Sequence, residues 1–520
     1  MQVRLLYKEG DRRAATRYSF PNDLEKDLNL DVVLRTMARQ DEQVRGVVWG
    51  EMMHPLTDAS DIYYRQEIIE DIADRRDNFV KLHDFLKRIA KVVQDFREME
   101  RNRRGGGRIG AASFQIEKLH CLTALTEGYE KLIPILAAGD YQSEGMRGLY
   151  ERLAAEYPPE RLTEIKNCLK ELQFWLEDGS IVISAGFVEG MKLGDFRVNR
   201  IANEAQVADT AERAKRGKLS LREQFSKTFL KSYVNVLQEE TLIGQGKQME
   251  EAAVTWMLTG FDDYFEDSLD FFANFYYQAC FYRGCSNLVA RFREWGFPMC
   301  RPVVAEEGSH TTSFLHLYDL STAIFLQRSP TANDLETDAD LFIITGANQG
   351  GKSTWLRSVG CAQLFFQCGM LVPANSFTGR IYSDIFTHFG RKEDKIMNSG
   401  RFDEELRRMD QIMEHMTSGS LLLMNESFAS TTEPEGALIL RGITDALYES
   451  GVVVMTVTHL FEYTQQMFAQ TKEELAAGGH PRRIFLSAQR LEDAKRTHRI
   501  EPAEPSPTSY GLDLYEEMMG

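Results

Sequence analysis

The chain has 520 residues, is 43% hydrophobic and 27% charged, and carries a formal net charge of −17. The length predicts about two to four domains, the composition predicts ordinary large cores, and the acidic balance excludes a general nucleic-acid coat. No apolar run reaches the roughly 18–20 residues that cross a bilayer, no start resembles a signal peptide, and seven scattered cysteines without a CxxC pair read as reduced thiols in a cytoplasm.

Residues 1–22, beginning MQVRLLYKE, predict a short strand and a loop. From about residue 23 to 93, apolar residues recur at three and four, which predicts helices. Within them Thr57, Asp58 and Ser60 are candidate N-caps. The stretch REMERNRRGGGRIG sets Arg97, Arg101, Arg103, Arg104 and Arg108 against Glu98 and Glu100 around three glycines. It serves either as a flexible loop touching phosphate or as a solvated connection between helices.

Helical periodicity returns through Leu176. GSIVISAGFVEGMKLGDFRVNRI, Gly179 to Ile201, then predicts strands with turns. A helical stretch follows from about Ser220 to Trp295, and its aromatics at helical spacing read as core. Pro298 and Pro302 mark a boundary near residue 300. From about residue 310, short apolar strands (DLFIITG, SLLLMNE, VVVMTVTH, RRIFLSA) alternate with helices, predicting a sheet covered on both faces.

TGANQGGKST, Thr345 to Thr354, joins the first of those strands to a helix and satisfies G-x-x-x-x-G-K-[ST] with Gly346, Gly351, Lys352 and Ser353. Glycines let backbone N–H groups converge on phosphate oxygens, and a helix N-terminus adds partial positive charge. Lys352 is placed to neutralise the outer phosphates and Ser353 to ligate Mg²⁺. Gly369 suits the left-handed end of that helix.

SLLLMNE ends in Asn425-Glu426. Glu426 stands where a carboxylate orients or deprotonates water. Asn425 stands where an Asp supports Mg²⁺. A unit charge pair at about 4 Å and an effective dielectric of about 20 is worth about 4 kcal/mol. A contact through a metal-bound water is weaker, so the expectation is weaker Mg²⁺ binding rather than abolished catalysis. The alternative is a site that only binds nucleotide. His459, closing VVVMTVTH, is placed to reach a γ-phosphate.

Taken together, ITGANQGGKST, GMLVPA, SDIFTHFG, SLLLMNESFASTTEPEG (with Thr431 and Gly436), TVTHLFEYT and PTSYGLDL resemble, in order, the ATPase domain of the MutS DNA mismatch repair family, one of the ABC-type ATPases. MHPLTDASDIYYRQEIIEDI resembles the start of that family's helical lever, and RSPTANDL the segment entering its nucleotide site; about 115 to 225 matches poorly. The resemblance implies a C-terminal α/β phosphate-loop ATPase domain (311–520) after a mostly helical lever/core domain (23–310) with a small β-containing, clamp-like insertion.

It also implies ATP and Mg²⁺ as cofactors. Gly346, Ala347, Asn348, Gln349, Gly350, Gly351, Lys352, Ser353 and Thr354 would hold nucleotide. Ser353, Asn425 and Glu426 would serve the metal, and Glu426 and His459 the hydrolysis. NSGRFDEEL occupies the place of the family's trans-acting signature, with Ser399 and Gly400 in place of its usual Ser-Thr. The implied partners are a second copy of the chain and DNA.

The chain begins at the lever, so the expectation is DNA binding without mismatch selectivity. Two Phe-x-Glu triplets, at Phe96 and Phe292, lie in helical context and read as coincidence. The competing readings are a nucleotide-switched scaffold for a protein partner and a small-molecule kinase. DNA-stimulated turnover separates the DNA-engaging ATPase from the scaffold, and the long levers speak against the kinase.

Overall fold

The computed structural model describes residues 2–9, 17–106, 111–177, 179–188, 192–203, 258–346, 350–390, 400–490 and 496–505. Two compact units share the chain. One comprises Met1–Val3, Asp77–Asp140 and Arg147–Tyr277. The other comprises Arg4–Arg76, Tyr141–Met146 and Gln278–Gly520, and so runs across the expected boundary at residue 310.

The first unit is built mainly on the helices Arg76–Arg104, Ala111–Gly139 and Pro159–Glu177 and the first half of Asp262–Trp295. Its core is aromatic, as the helical spacing predicts. Tyr129 stacks on Tyr157 at 4.2 Å and lies 4.8 Å from Phe272. The expected strands are an antiparallel hairpin, Gly179–Val188 with Lys192–Asn203. The part of the 220–295 helical expectation before residue 258 lies outside the described residues.

The second unit carries the sheet. Its strands are β1 (Leu341–Thr345), β2 (Ile385–Phe389), β3 (Leu421–Asn425), β4 (Val453–Val457), β5 (Arg483–Arg490) and β6 (Arg496–Pro502). They lie in the order β6-β5-β1-β4-β3-β2. All pair in parallel except β6, which runs antiparallel to β5. The helices are α1 (Lys352–Gln367), α2 (Arg401–His415), α3 (Glu433–Glu449) and α4 (Phe461–Ala476). Strands β1 to β4 are buried almost throughout, because helices cover the sheet and leave no polar face to alternate.

Helix α1 ends where Gly369, at φ 71°, turns the chain. Its N–H donates to the Phe366 carbonyl, and that of Met370 donates to the Phe365 carbonyl. These paired bonds satisfy the last carbonyls of the helix. Asp58, one of the three candidate caps, starts the helix Ala59–Asp74 by accepting from the Ser60 N–H.

The predicted N-terminal strand is not formed in residues 2–9. Side chains take the place of a ladder. Gln278 Oε1 accepts from the Leu5 and Leu6 N–H groups, Arg65 donates to the Leu6 carbonyl, and the Tyr64 hydroxyl donates to the Arg4 carbonyl.

Candidate functional site

Strand β1 is wholly apolar up to Thr345, and the chain then turns at Gly346 with φ 110°. A side chain there would meet Ala488 N at 2.9 Å and Ser487 Oγ at 3.0 Å. Conformation and space therefore both demand glycine. Ala347, Asn348 and Gln349 lie outside the described residues. Gly351, with φ 96°, is the N-cap of α1, so the helix opens toward the mouth of the turn.

Lys352 is 4% exposed, and its Nζ donates to the Gly346 carbonyl at 2.6 Å. Burial pushes its ammonium below the usual lysine range, while the charge of Glu426 pulls it back up. Ser353 Oγ donates to Asn425 Oδ1 at 2.8 Å. Asn425 ends β3. Glu426 follows with φ 54°, and its N–H donates to the Val457 carbonyl of β4 at 2.8 Å.

A cleft of about 230 Å³ is lined by Gly350, Gly351, Lys352, Ser353, Thr354, Glu426 and His498. A second, of about 450 Å³, shares Gly351, Thr354 and His498 with it. That cleft extends along Asp319, Leu326, Arg328, Pro330, Asn333 and Trp355. The first is polar and holds a cation facing a carboxylate. The second is lined mostly by polar side chains, with Leu326, Pro330 and Trp355 as its apolar part.

Two family models match the chain. MutS2 N-terminal domain covers residues 57–295 and MutS domain V covers residues 342–517. Both models describe MutS proteins, and together they match most of the chain. A DNA mismatch repair protein MutS of Thermus aquaticus is 31% identical over 35% of this chain and 21% of its own length. An Endonuclease MutS2 of Pediococcus pentosaceus is 35% identical over 26% of this chain and 17% of its own. A DNA mismatch repair protein MutS 2 of Haloarcula marismortui is 27% identical over 42% and 24%. The chain thus spans about a fifth of the length of the MutS relatives it matches.

Of the residues the motifs single out, Gly350, Gly351, Lys352, Ser353, Thr354 and Glu426 line one cleft, and Asn425 is bound to Ser353. His459 is exposed two residues beyond β4 and lines neither cleft. Gly400 is the exposed N-cap of α2, and Ser399 lies outside the described residues. The sequence motifs do not include His498. It stands on β6 in the left-handed region, φ 58°, and lines both clefts. RTHRI has no periodic or motif signal; only the pairing of β5 with β6 brings it to the site.

Phe96 and Phe292, the heads of the two Phe-x-Glu triplets, are core residues at 5% and 0% exposure. Within the arginine-rich stretch, Arg97 pairs with Asp270, Arg104 with Glu100, and Arg103 lies over the Phe114 ring. Among the described residues, no helix is long and apolar enough to cross a membrane.

Proposed function

We propose that this chain binds ATP with Mg²⁺ at the Lys352 cleft and hydrolyses it, and that ATP-driven closure of a homodimer couples this to DNA engagement. The observation that carries the reading is one cleft at the start of helix α1 that holds the buried Lys352 ammonium, Ser353 and Glu426, with Asn425 bound to Ser353. In this reading 311–520 is a phosphate-loop ATPase of the ABC type and 23–310 its lever.

Lys352 exchanges the Gly346 carbonyl for a phosphate oxygen, which removes the mismatch between its charge and its burial. The helix N-terminus supplies further N–H donors to the anion. Mg²⁺, when bound, neutralises charge on the phosphates. Ser353, Asn425 and Glu426 are the residues that would hold it. Asn425 is neutral, which weakens the metal and leaves the site working. Glu426 keeps the charge that orients or deprotonates water. His459 serves as the phosphate-sensing residue at the end of β4, and Ser399 with Gly400 faces the second copy's nucleotide.

A second reading, a nucleotide-switched scaffold with little hydrolysis, is favoured by the neutral Asn425 and by the position of His459 outside the cleft. Both readings need nucleotide. Lys352→Ala abolishes ATP binding in titration calorimetry if the assignment holds; unchanged affinity refutes it.

A further inference from the structure

Behind Glu426 lies a set of buried polar groups that has no part in holding phosphate. His388, on β2 beside Met424 of β3, is 0% exposed. Its Nδ1 is 2.7 Å from Ser427 Oγ, and its Nε2 is 3.1 Å from the Glu405 carbonyl oxygen. Ser427 Oγ also lies 3.0 Å from the His388 carbonyl oxygen. The His388 ring stacks on Phe428 with centroids 5.5 Å apart. Glu405, on α2 and also buried, accepts from the Phe428 N–H with Oε2 at 2.9 Å.

The turn that carries Glu426 is thus gripped from two sides. Ser427 is bound to β2, and Phe428 is bound to α2. Glu426 and Phe428 both hold left-handed backbone angles, φ 54° and 61°. Side-chain-bearing residues keep such angles only where the surroundings over-determine them. The contacts from His388 and Glu405 supply that determination. Glu405 stands five residues into α2, about 7 to 8 Å along the axis from its exposed start at Gly400. A displacement of that end therefore reaches the Glu426 turn through a charge-assisted hydrogen bond, in a buried setting where such bonds are strong.

We propose that Glu405 and His388 are positioning residues that clamp the Glu426 turn to helix α2, so that nucleotide at the Lys352 cleft and the state of the α2 start govern one another. This rests on the reading of the cleft as an ATP site. Neither residue touches nucleotide. Their function is to make the helix that begins at Gly400 and the carboxylate that acts on water move as one body. Two sites in a dimer joined in this way do not bind nucleotide independently, because binding linkage is reciprocal.

The test uses the full chain and three measurements: ATP affinity from a fluorescent analogue, steady-state turnover, and hydrogen exchange of the 401–415 peptide with and without nucleotide. In the parent, nucleotide slows exchange in 401–415. Glu405→Gln keeps an oxygen for the Phe428 N–H and retains that response. Glu405→Ala keeps ATP affinity within about twofold. Its turnover falls about 100-fold, the size expected when a reacting group is misplaced by about 1 Å, and its 401–415 exchange no longer responds.

Should Glu405→Ala not fold, His388→Gln is read the same way. Affinity, turnover and Tm falling together would reduce the cluster to a structural support and overturn the proposal. So would an Ala variant that keeps both turnover and the exchange response, or a parent that binds ATP without any change in 401–415. A parent that binds no ATP overturns the site assignment itself, and the clamp falls with it.

Discussion

Asn425 accepts the Ser353 hydroxyl with its side-chain oxygen, so its amide holds the serine proposed to bind Mg²⁺ as a carboxylate would. What is missing is charge. Asn425→Asp therefore lowers the Mg²⁺ concentration giving half-maximal turnover, by about tenfold if about 1.4 kcal/mol of metal-water interaction returns. A Mg²⁺ titration of ATPase rate in parent and variant checks it, and an unchanged midpoint contradicts it. At this scale the site is legible where its residues are neighbours in sequence. Lys352 and Ser353 announce themselves because a phosphate-binding turn needs its parts at fixed spacing, and Glu426 because it closes a short apolar strand. His498, His388 and the carboxylate of Glu405 reach the site through strand pairing and helix packing, and no local pattern encodes that.

Elements here are tied by charges as much as by apolar packing. Arg65, fully buried, donates to Leu6 and Cys368 carbonyls and to Glu51, joining the helix Ala59–Asp74 to the end of α1. Arg65→Met strips the cation from a buried carboxylate and costs about 3–5 kcal/mol, read as a shift in the denaturation midpoint. Asp340, just before β1, accepts from Arg380 at 2.7 Å, Arg482 at 2.6 Å and His310 at 2.9 Å. Burial alone would raise its carboxyl, but these hydrogen bonds and the Arg380 charge bring it below its ordinary value of 3.8. Its contribution is therefore full above that value and disappears as pH falls through the lower, folded-state one. Asp340→Asn costs about 2–3 kcal/mol at neutral pH. The gap to the parent closes in acid, and a gap that widens there would contradict the pairing. The strands β1 to β4 are legible as short apolar runs between helices. The N-terminal strand is absent because Gln278, Arg65 and Tyr64, far away in sequence, satisfy the backbone that a strand partner would have satisfied.

For the whole molecule, the acidic net charge of −17 leaves DNA binding to local basic surface. In the arginine-rich stretch Arg97 and Arg104 are paired within the protein, and Arg101 and Arg104 are exposed. DNA binding is expected to be salt-sensitive and indifferent to a single mismatch. Neutralising Arg101, Arg103 and Arg104 lowers affinity and flattens the salt slope by about one for each phosphate left without its cation. A strong preference for a mismatch over homoduplex contradicts this. Sedimentation of Glu426→Gln with ATP is expected to give dimers, and a monomer at every concentration refutes closure. Whether Glu426 does chemistry on ATP held at Lys352 is decided by turnover at saturating Mg²⁺ and DNA in the parent and in Glu426→Gln. Turnover is expected in the parent, and its loss in the variant with ATP affinity intact, since only a transition-state role is removed. A parent without turnover under those conditions, or a variant that turns over as fast as the parent, contradicts it.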